Sequence, residues 1–128
     1  MSRRPYLRQM PRGWWLRQPR YTAYMVRELT SLFIALYSVF LVLGLVRLAQ
    51  GSAAFDHFLA AARTPWGIAF QATCLIFAVY HSITWFEVTP KAMPMMLSGE
   101  PISGRAIIAA HYVAWLFVSI GVLILAGI

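Results

Sequence analysis

Three long stretches without a charged side chain constrain the fold of this chain more than any other feature. They cover residues 29–46, 64–86 and 106–128 and are 18, 23 and 23 residues long. An α-helix needs about 20 mostly apolar residues to cross a bilayer core of about 30 Å. The hydrophobic content of 60% also exceeds the roughly 45–50% of soluble domains. We therefore predict an all-α membrane protein with three transmembrane helices.

Residues at the ends of these stretches indicate where the helices begin and end. Pro19 and Pro65 each suit the first turn of a helix, where the missing N–H costs no hydrogen bond. The first helix can therefore begin near Pro19, or it begins only at Glu28 and leaves the charges at its border. Residues 89–103 contain three prolines and Gly99, which argue against a continuous helix there. We predict a transmembrane domain over residues 21–128, with helices near 21–49, 65–88 and 104–127, and a short surface helix near 55–62.

Most of the positive charge lies ahead of the first apolar stretch. The net charge is +7, and seven of the eleven basic residues precede Glu28. Tyr6, Trp14 and Trp15 lie among these arginines, a combination that suits the headgroup layer of a membrane. We predict that residues 1–20 form a basic aromatic segment that lies at the interface and touches a partner; the alternative is a disordered basic tail. Membrane lipid or an acidic protein fits these arginines, and nucleic acid does not fit so apolar a chain.

The distribution of basic residues also predicts the orientation of the chain. The N-terminal side and the second loop together hold nine of the eleven, whereas the side of the first loop holds Arg47 and Arg63. The positive-inside rule then places the N-terminus in the cytoplasm and the C-terminus outside. The first apolar stretch is long and ends without a small-residue cleavage site, so we interpret it as a retained helix and not as a signal peptide.

This orientation gathers several polar side chains at one depth beneath the cytoplasmic surface. Arg27 and Glu28 lie about 12 Å along the first helix from Pro19, at about 1.5 Å per residue. Because these two residues are adjacent, they point to different sides, and each needs a partner elsewhere. His81 and Trp85 are four positions apart and share one face of the second helix. An imidazole within a membrane span is costly and marks a functional site by default.

Such a cluster suits a lipid-soluble molecule with a polar head. An imidazole or a guanidinium donates to a carbonyl oxygen, a carboxylate takes up a proton, and an indole stacks on a flat ring. A quinone has carbonyl oxygens, a flat ring, and protons that accompany its electrons. Our hypothesis is a quinone site formed by Arg27, Glu28, His81 and Trp85. His111 reaches a similar depth on the third helix, where a structural role is its simpler explanation.

Most of these residues also have a purely structural interpretation. His81 can bond only to a neighbouring helix, and Trp85 can be an interfacial anchor. Glu87 and Lys91 are four positions apart and can form a surface pair. The lone Cys74 has no companion for a disulfide or a metal site, so we interpret it as a small core residue and predict no metal.

Several short motifs, taken in order, resemble those of a known family. They are Pro5-Tyr6-x-Arg8-x-Met10, Trp14-Trp15, Tyr24-Met25-x-Arg27-Glu28, His81-x-x-Thr84-Trp85-Phe86-Glu87, Pro90-Lys91-Ala92 and Glu100-Pro101-Ile102. Their order and spacing resemble the C subunit, a membrane anchor, of bacterial quinol:fumarate reductase, the heme-free branch of the complex II family. The resemblance is weak beyond Ile102, so His111 inherits no role. Ile83 stands where the family can have a basic residue.

The resemblance implies a complex of four subunits in the bacterial inner membrane, with the C-terminus of this chain in the periplasm. A flavoprotein subunit with FAD reduces fumarate, and an iron–sulfur subunit transfers the electrons. This chain and a second membrane anchor, the D subunit, each form half of a six-helix bundle. The chain is then not catalytic alone, and its basic N-terminal segment docks the iron–sulfur subunit.

The resemblance also implies roles for individual residues. Menaquinol is oxidised near the cytoplasmic face, at a subunit interface without heme, and feeds electrons to fumarate reduction in anaerobic respiration. Glu28 resembles the acidic residue tied to proton transfer. Arg27, His81 and Trp85 resemble residues that line the quinone pocket, together with Glu28.

Two other classes of protein fit the pattern less well. The first is the heme b anchor of a succinate dehydrogenase, in which His81 and His111 would be the axial ligands. The second is a small transporter or an assembly factor. A transporter is expected to show prolines or glycines within its spans, or an internal repeat, whereas the prolines here lie at the ends of the spans.

Overall fold

Three long helices dominate the computed structural model, which describes residues 9–127. A short helix joins the first two, and a two-stranded hairpin joins the last two. The elements are a 3-10 turn over Trp14–Leu16, α1 over Pro19–Ala49, α2 over Ser52–Ala62, α3 over Pro65–Ala92, β1 over Met96–Leu97, β2 over Glu100–Pro101 and α4 over Gly104–Leu125. By length and composition, α1, α3 and α4 can each cross a membrane, which confirms the all-α fold with three transmembrane helices.

Some helix boundaries differ from those expected from the sequence. The first helix begins at Pro19, so the alternative start at Glu28 is wrong and both adjacent charges lie inside the helix. The second long helix continues to Ala92, past the predicted end at residue 88. Pro90 is in the last turn, so only Lys91 and Ala92 follow it in the helix, and the hydrogen bond lost with its N–H is one of the last in α3. The third long helix, α4, ends at Leu125, whereas the sequence predicted an end near residue 127.

The N-terminal segment is described from residue 9 onward, so residues 1–8 of the predicted interfacial segment lie outside the described part. The 3-10 turn folds back onto the start of α1. The Trp14 ring meets the edge of Tyr21 at 5.3 Å between centroids, and the Thr22 hydroxyl donates to the Trp15 carbonyl at 2.9 Å. These contacts hold Trp14 and Trp15 against the first turn of α1.

Aromatic and polar pairs fix the register between α1 and α3. The rings of Phe33 and Phe77 stack with centroids 4.1 Å apart, and Phe40 meets Phe70 at 5.7 Å. Thr30 on α1 contacts His81 in the C-terminal half of α3. Since higher numbers on α1 match lower numbers on α3, the two helices are antiparallel. Arg27, Glu28 and the C-terminal half of α3 therefore lie toward the same end of the molecule.

The short helix α2 packs against the last turns of α1, which confirms a helix near residues 55–62. The Phe58 ring lies 4.9 Å from that of Phe40, between centroids. It also covers Gly44 so closely that an added Cβ there would lie 2.9 Å from the ring. The Gln71 amide donates to the carbonyl of Ala62 at 2.9 Å, which ties the end of α2 to α3. The same amide nitrogen also donates to the Gly67 carbonyl of its own helix at 3.1 Å.

The fourth helix packs on the C-terminal part of α3 after a tight hairpin. The Phe86 ring lies against His111, Tyr112 and Trp115 of α4, with centroids 5.1–6.2 Å apart. Ser98 and Gly99 have φ of 52° and 87°, the positive values that a two-residue hairpin turn requires. The Ser-Gly pair in the sequence is a turn signal that could have predicted this hairpin.

The three long helices bury few of their residues against one another. In the most apolar window of each, the buried share is 11% for α1 and 6% for both α3 and α4. Cys74, at 2% exposure, is one of the few buried apolar residues, which confirms its interpretation as a small core residue. Exposed side chains such as Leu45 and Phe117 leave wide apolar faces for lipid or another protein.

Candidate functional site

His81 is held against α1 by two oxygen atoms. Its Nδ1 lies 2.8 Å from the hydroxyl of Thr30 and 3.3 Å from the carbonyl oxygen of Arg27. The Thr30 hydroxyl itself donates to the same Arg27 carbonyl. Residues 27 and 30 are three apart, so both lie on the face of α1 that meets α3. His81 does bond to a neighbouring helix, and it does so beside the other residues of the predicted site.

Arg27 lies between two aromatic rings. Its guanidinium carbon is 5.2 Å from the centre of the Tyr24 ring and 4.9 Å from that of the Trp85 ring. The ring of Trp85 is also 6.1 Å from the ring of His81, between centroids. Trp85 therefore contacts the side chains of both Arg27 and His81, and an interfacial anchor needs neither contact. The cation–π contacts compensate part of the cost of withdrawing the guanidinium from water.

One hydrogen-bond donor of the Arg27 side chain, the Nε–H group, is buried. Its side chain is only 11% exposed, and within the described part of the chain Nε has no hydrogen-bond partner. Glu28 Oε1 lies 3.7 Å from that Nε, which is an ion pair but too long for a hydrogen bond. This distance agrees with the expectation that the two adjacent residues pair poorly. A buried unpaired donor is costly, so this atom fits an acceptor from a ligand or from another protein chain.

Glu28 points away from the contact between α1 and α3. Its side chain is 43% exposed, against 11% for its neighbour. The carboxylate is thus at the rim of the cluster, where it can exchange a proton with water or with a ligand. The structure brings together Arg27, His81 and Trp85 and leaves Glu28 beside them, at the outer side.

His111 belongs to a different contact. Its Nδ1 lies 2.8 Å from the Ile107 carbonyl of its own helix, and its ring packs on Phe86 at 5.3 Å between centroids. His81 instead faces α1, from another side of α3. The two imidazoles therefore face different helices within this chain, and His111 has a structural role in the packing of α4.

A groove with apolar walls lies one helical turn from the cluster. Its volume is about 490 Å³, and it runs between α1 and α3. Ile34 and Ala78 are four and three residues from Thr30 and His81, which makes one turn of helix on each side. Further along, the lining residues are Tyr37, Ser38, Ile68, Gln71, Ala72, Cys74 and Leu75. The polar cluster and this groove therefore lie along the same pair of helices, α1 and α3, one helical turn apart.

Two residues of the cluster were not singled out from the sequence. Thr30 is a polar residue inside an apolar stretch, and its spacing of three from Arg27 was a usable signal. Tyr24 was named only within a sequence motif, although its spacing of three from Arg27 places the two side chains side by side. For Thr30, the partner across the helix seam could not be known without the register between α1 and α3.

Comparison with known proteins agrees with the motifs. A family model that describes the C subunit of fumarate reductase matches residues 1–127. The fumarate reductase C subunit from Vibrio parahaemolyticus is 36% identical over 123 residues, which are 96% of this chain and 97% of that protein. The protein of the same name from Vibrio vulnificus is 37% identical over 123 residues, again 96% of this chain and 97% of that protein. That from Mycobacterium tuberculosis is 34% identical over 115 residues, 90% of this chain and 91% of the relative.

Proposed function

The chain belongs to the family of fumarate reductase C subunits, and we propose that it is a membrane anchor of a quinol:fumarate reductase with part of a menaquinol-oxidation site. It anchors the flavoprotein and iron–sulfur subunits to the bacterial inner membrane, together with the second anchor, the D subunit. FAD and the iron–sulfur clusters belong to the partner subunits. This chain alone does not reduce fumarate.

The buried Nε of Arg27 is the observation that carries the quinol site. Among the described residues this donor has no hydrogen-bond partner, and the guanidinium to which it belongs lies against the Tyr24 and Trp85 rings at the level of His81. A quinol or quinone oxygen supplies the acceptor that Nε lacks, and its flat ring suits the aromatic neighbours. A buried donor without an acceptor costs about 1–3 kcal/mol, and an acceptor supplied by a bound ligand removes that cost.

Glu28 and the groove supply the two remaining requirements of a quinol site. Oxidation of the quinol releases protons as well as electrons. The half-exposed carboxylate of Glu28, 3.7 Å from Arg27, is placed to take up a proton and pass it to water. The groove of about 490 Å³ that begins one turn from His81 can hold part of a hydrocarbon tail. Arg27, Glu28, His81 and Trp85 thus bind the head, and Ile34 and Ala78 begin the channel for the tail.

The exposed surfaces support a place within a larger assembly. Wide apolar faces on α1 and α4 suit a second three-helix anchor protein, giving a six-helix bundle, with lipid on the remaining faces. Residues 9–18, which directly precede α1, lie at the same end as the cluster, and the basic segment to which they belong docks the iron–sulfur subunit. The positive-inside rule puts this side in the cytoplasm. Electrons from the quinol then travel a short distance to the iron–sulfur clusters.

Quinol oxidation by the assembled complex of four subunits tests this proposal. Glu28→Gln removes the proton acceptor at nearly constant shape, and His81→Gln removes the imidazole. Loss of a positioned proton acceptor lowers rates by about 100-fold or more in many enzymes, so we expect at least about a tenfold fall for each variant. Fumarate reduction with a water-soluble electron donor, which bypasses the quinol, reports that the partner subunits remain active.

The chain offers matched controls for both substitutions. Glu87→Gln changes an exposed carboxylate on α3, and His57→Gln changes an exposed imidazole on α2, far from the cluster. Both controls are expected to oxidise quinol at the normal rate. If Glu28→Gln and His81→Gln also kept the normal rate in fully assembled complexes, these residues would have no part in quinol oxidation.

A further inference from the structure

Thr30 is the buried polar side chain at the centre of the contact between α1 and α3. It is 1% exposed, so water does not reach its hydroxyl. That hydroxyl donates its hydrogen to the carbonyl oxygen of Arg27, one turn earlier in the same helix. A hydroxyl has one hydrogen and two lone pairs. Since its hydrogen is already engaged, the Thr30 oxygen faces His81 as an acceptor.

Nδ1 of His81 consequently faces two acceptors, Thr30 Oγ1 at 2.8 Å and the Arg27 carbonyl oxygen at 3.3 Å. Without a proton on Nδ1, the Thr30 hydroxyl would have to turn from the Arg27 carbonyl to donate to Nδ1, and that carbonyl oxygen would face the lone pair of the ring in a desolvated site, which is unfavourable. A proton on Nδ1 satisfies both oxygens. We propose that Thr30 is a positioning residue that holds the neutral His81 ring in the tautomer with hydrogen on Nδ1, so that Nε2 presents a lone pair.

This inference rests on the proposed quinol site and deepens it. In that tautomer Nε2 accepts a hydrogen bond and has none to donate. The hydroxyl groups of a quinol donate hydrogen bonds, whereas an oxidised quinone offers only carbonyl acceptors. His81 therefore favours the reduced ring over the oxidised one. This reverses the role expected from the sequence, in which the imidazole donates to a carbonyl oxygen.

Two substitutions at Thr30 separate the hydrogen bond from simple packing. Thr30→Val keeps the branched shape and removes the hydroxyl. Thr30→Ser keeps the hydroxyl and removes a methyl group. If the hydroxyl orients His81, valine is the harmful replacement and serine is tolerated. If Thr30 only fills space, the order is the opposite, because serine leaves a void and valine does not.

The measurement is made on the complete complex, normalised to the amount that assembles. It compares KM for a water-soluble quinol with the inhibition constant of the matching quinone. The net value of one hydrogen bond predicts a quinol KM about two- to tenfold higher in Thr30→Val. The quinone should bind as well as before or better, because only the longer contact with the Arg27 carbonyl then favours the hydrogen on Nδ1, and the ring more readily adopts the tautomer that donates from Nε2. In Thr30→Ser both constants should stay within about twofold of normal.

Two results would overturn the inference. One is an equal weakening of quinol and quinone in Thr30→Val, and the other is a greater loss in Thr30→Ser than in Thr30→Val. The His81→Gln complex shows which idea has failed. Normal quinol oxidation in His81→Gln would remove the proposed role of His81, and this inference with it. Impaired oxidation in His81→Gln together with unaltered constants in Thr30→Val would overturn the inference about Thr30 alone.

Discussion

The imidazole Nδ1 of His81 lies 2.8 Å from the hydroxyl oxygen of Thr30, 51 positions earlier in the chain. This contact joins α1 to α3 at the level where Arg27 packs on the ring of Trp85. A polar contact between membrane helices contributes only about 0.6 kcal/mol on average. The bond is therefore too weak to hold the helices together, and its main consequence is the orientation that it gives to the imidazole.

Replacing Trp85 with leucine is expected to weaken quinol binding. Arg27 would lose the aromatic face that lies 4.9 Å from its guanidinium carbon. A cation–π contact contributes about 0.5–2 kcal/mol, which corresponds to a rise in quinol KM of roughly two- to thirtyfold. Trp85→Phe keeps a ring and should lose less. The KM values of the assembled complex with a quinol substrate measure the effect.

Trp66 provides the control for that substitution. It is on the same helix but at the opposite end, and it is 86% exposed. Trp66→Leu should therefore leave the quinol KM unchanged. Equal rises in KM for Trp66→Leu and Trp85→Leu would mean that the indole of Trp85 has no specific contact with the quinol site.

Cysteine labelling can determine the proposed orientation. Ser52, at the start of α2, and Ser98, in the hairpin, are both exposed and lie in the two different loops. The native Cys74 is 2% exposed and should not react from either side of the membrane. A membrane-impermeant maleimide should label Ser52→Cys in right-side-out vesicles and Ser98→Cys in inside-out vesicles. The reversed pattern would contradict a cytoplasmic N-terminus.

The first turn of α3 should not accept a side chain at Gly67. A Cβ at this position would lie 2.5 Å from the carbonyl oxygen of Ala62 and 2.6 Å from that of Ala61. Both neighbours are backbone atoms, so the two helices would have to move apart. We expect Gly67→Ala to destabilise the protein by about 1–3 kcal/mol, seen as faster thermal loss of quinol oxidation.

Gly121 is the matched glycine for that experiment. It lies within α4, and a Cβ there would have no neighbour within 4 Å in the described part of the chain. Gly121→Ala should be neutral or slightly stabilising, since alanine has the higher helix propensity. Similar thermal losses in both variants would show that the close approach at Gly67 does not matter.

A double substitution can test the contact between α1 and α2. Gly44→Leu would push against the Phe58 ring, whose Cε1 is already 2.9 Å from an added Cβ. The single change is expected to cost about 1–3 kcal/mol. Phe58→Ala alone should also destabilise, because it leaves a void beside Phe40. In the combined variant the leucine can occupy that void, so the loss of thermal stability should be smaller than the sum of the two.

Residues within each helix could be assigned to the site from the sequence because their depth depends only on position along the helix. Arg27, His81 and Trp85 were placed at one depth by a rise of about 1.5 Å per residue and by the distribution of basic residues. The end of α3 was predicted less accurately, at residue 88 and not at Ala92. Pro90 is a general obstacle to a helix, but its cost depends on how close it lies to the helix end.

The three membrane spans, the family resemblance and the group of residues near one end of the bundle could be predicted from hydrophobic length, charge and spacing, which are local properties. Three contacts became known only once the helices were packed: Thr30 faces His81, Nε of Arg27 lacks a partner within the described residues, and His111 packs on Phe86. The physical reason is that helices apolar on nearly all sides carry little signal about their rotation, which is set by the packing of side chains across the seam.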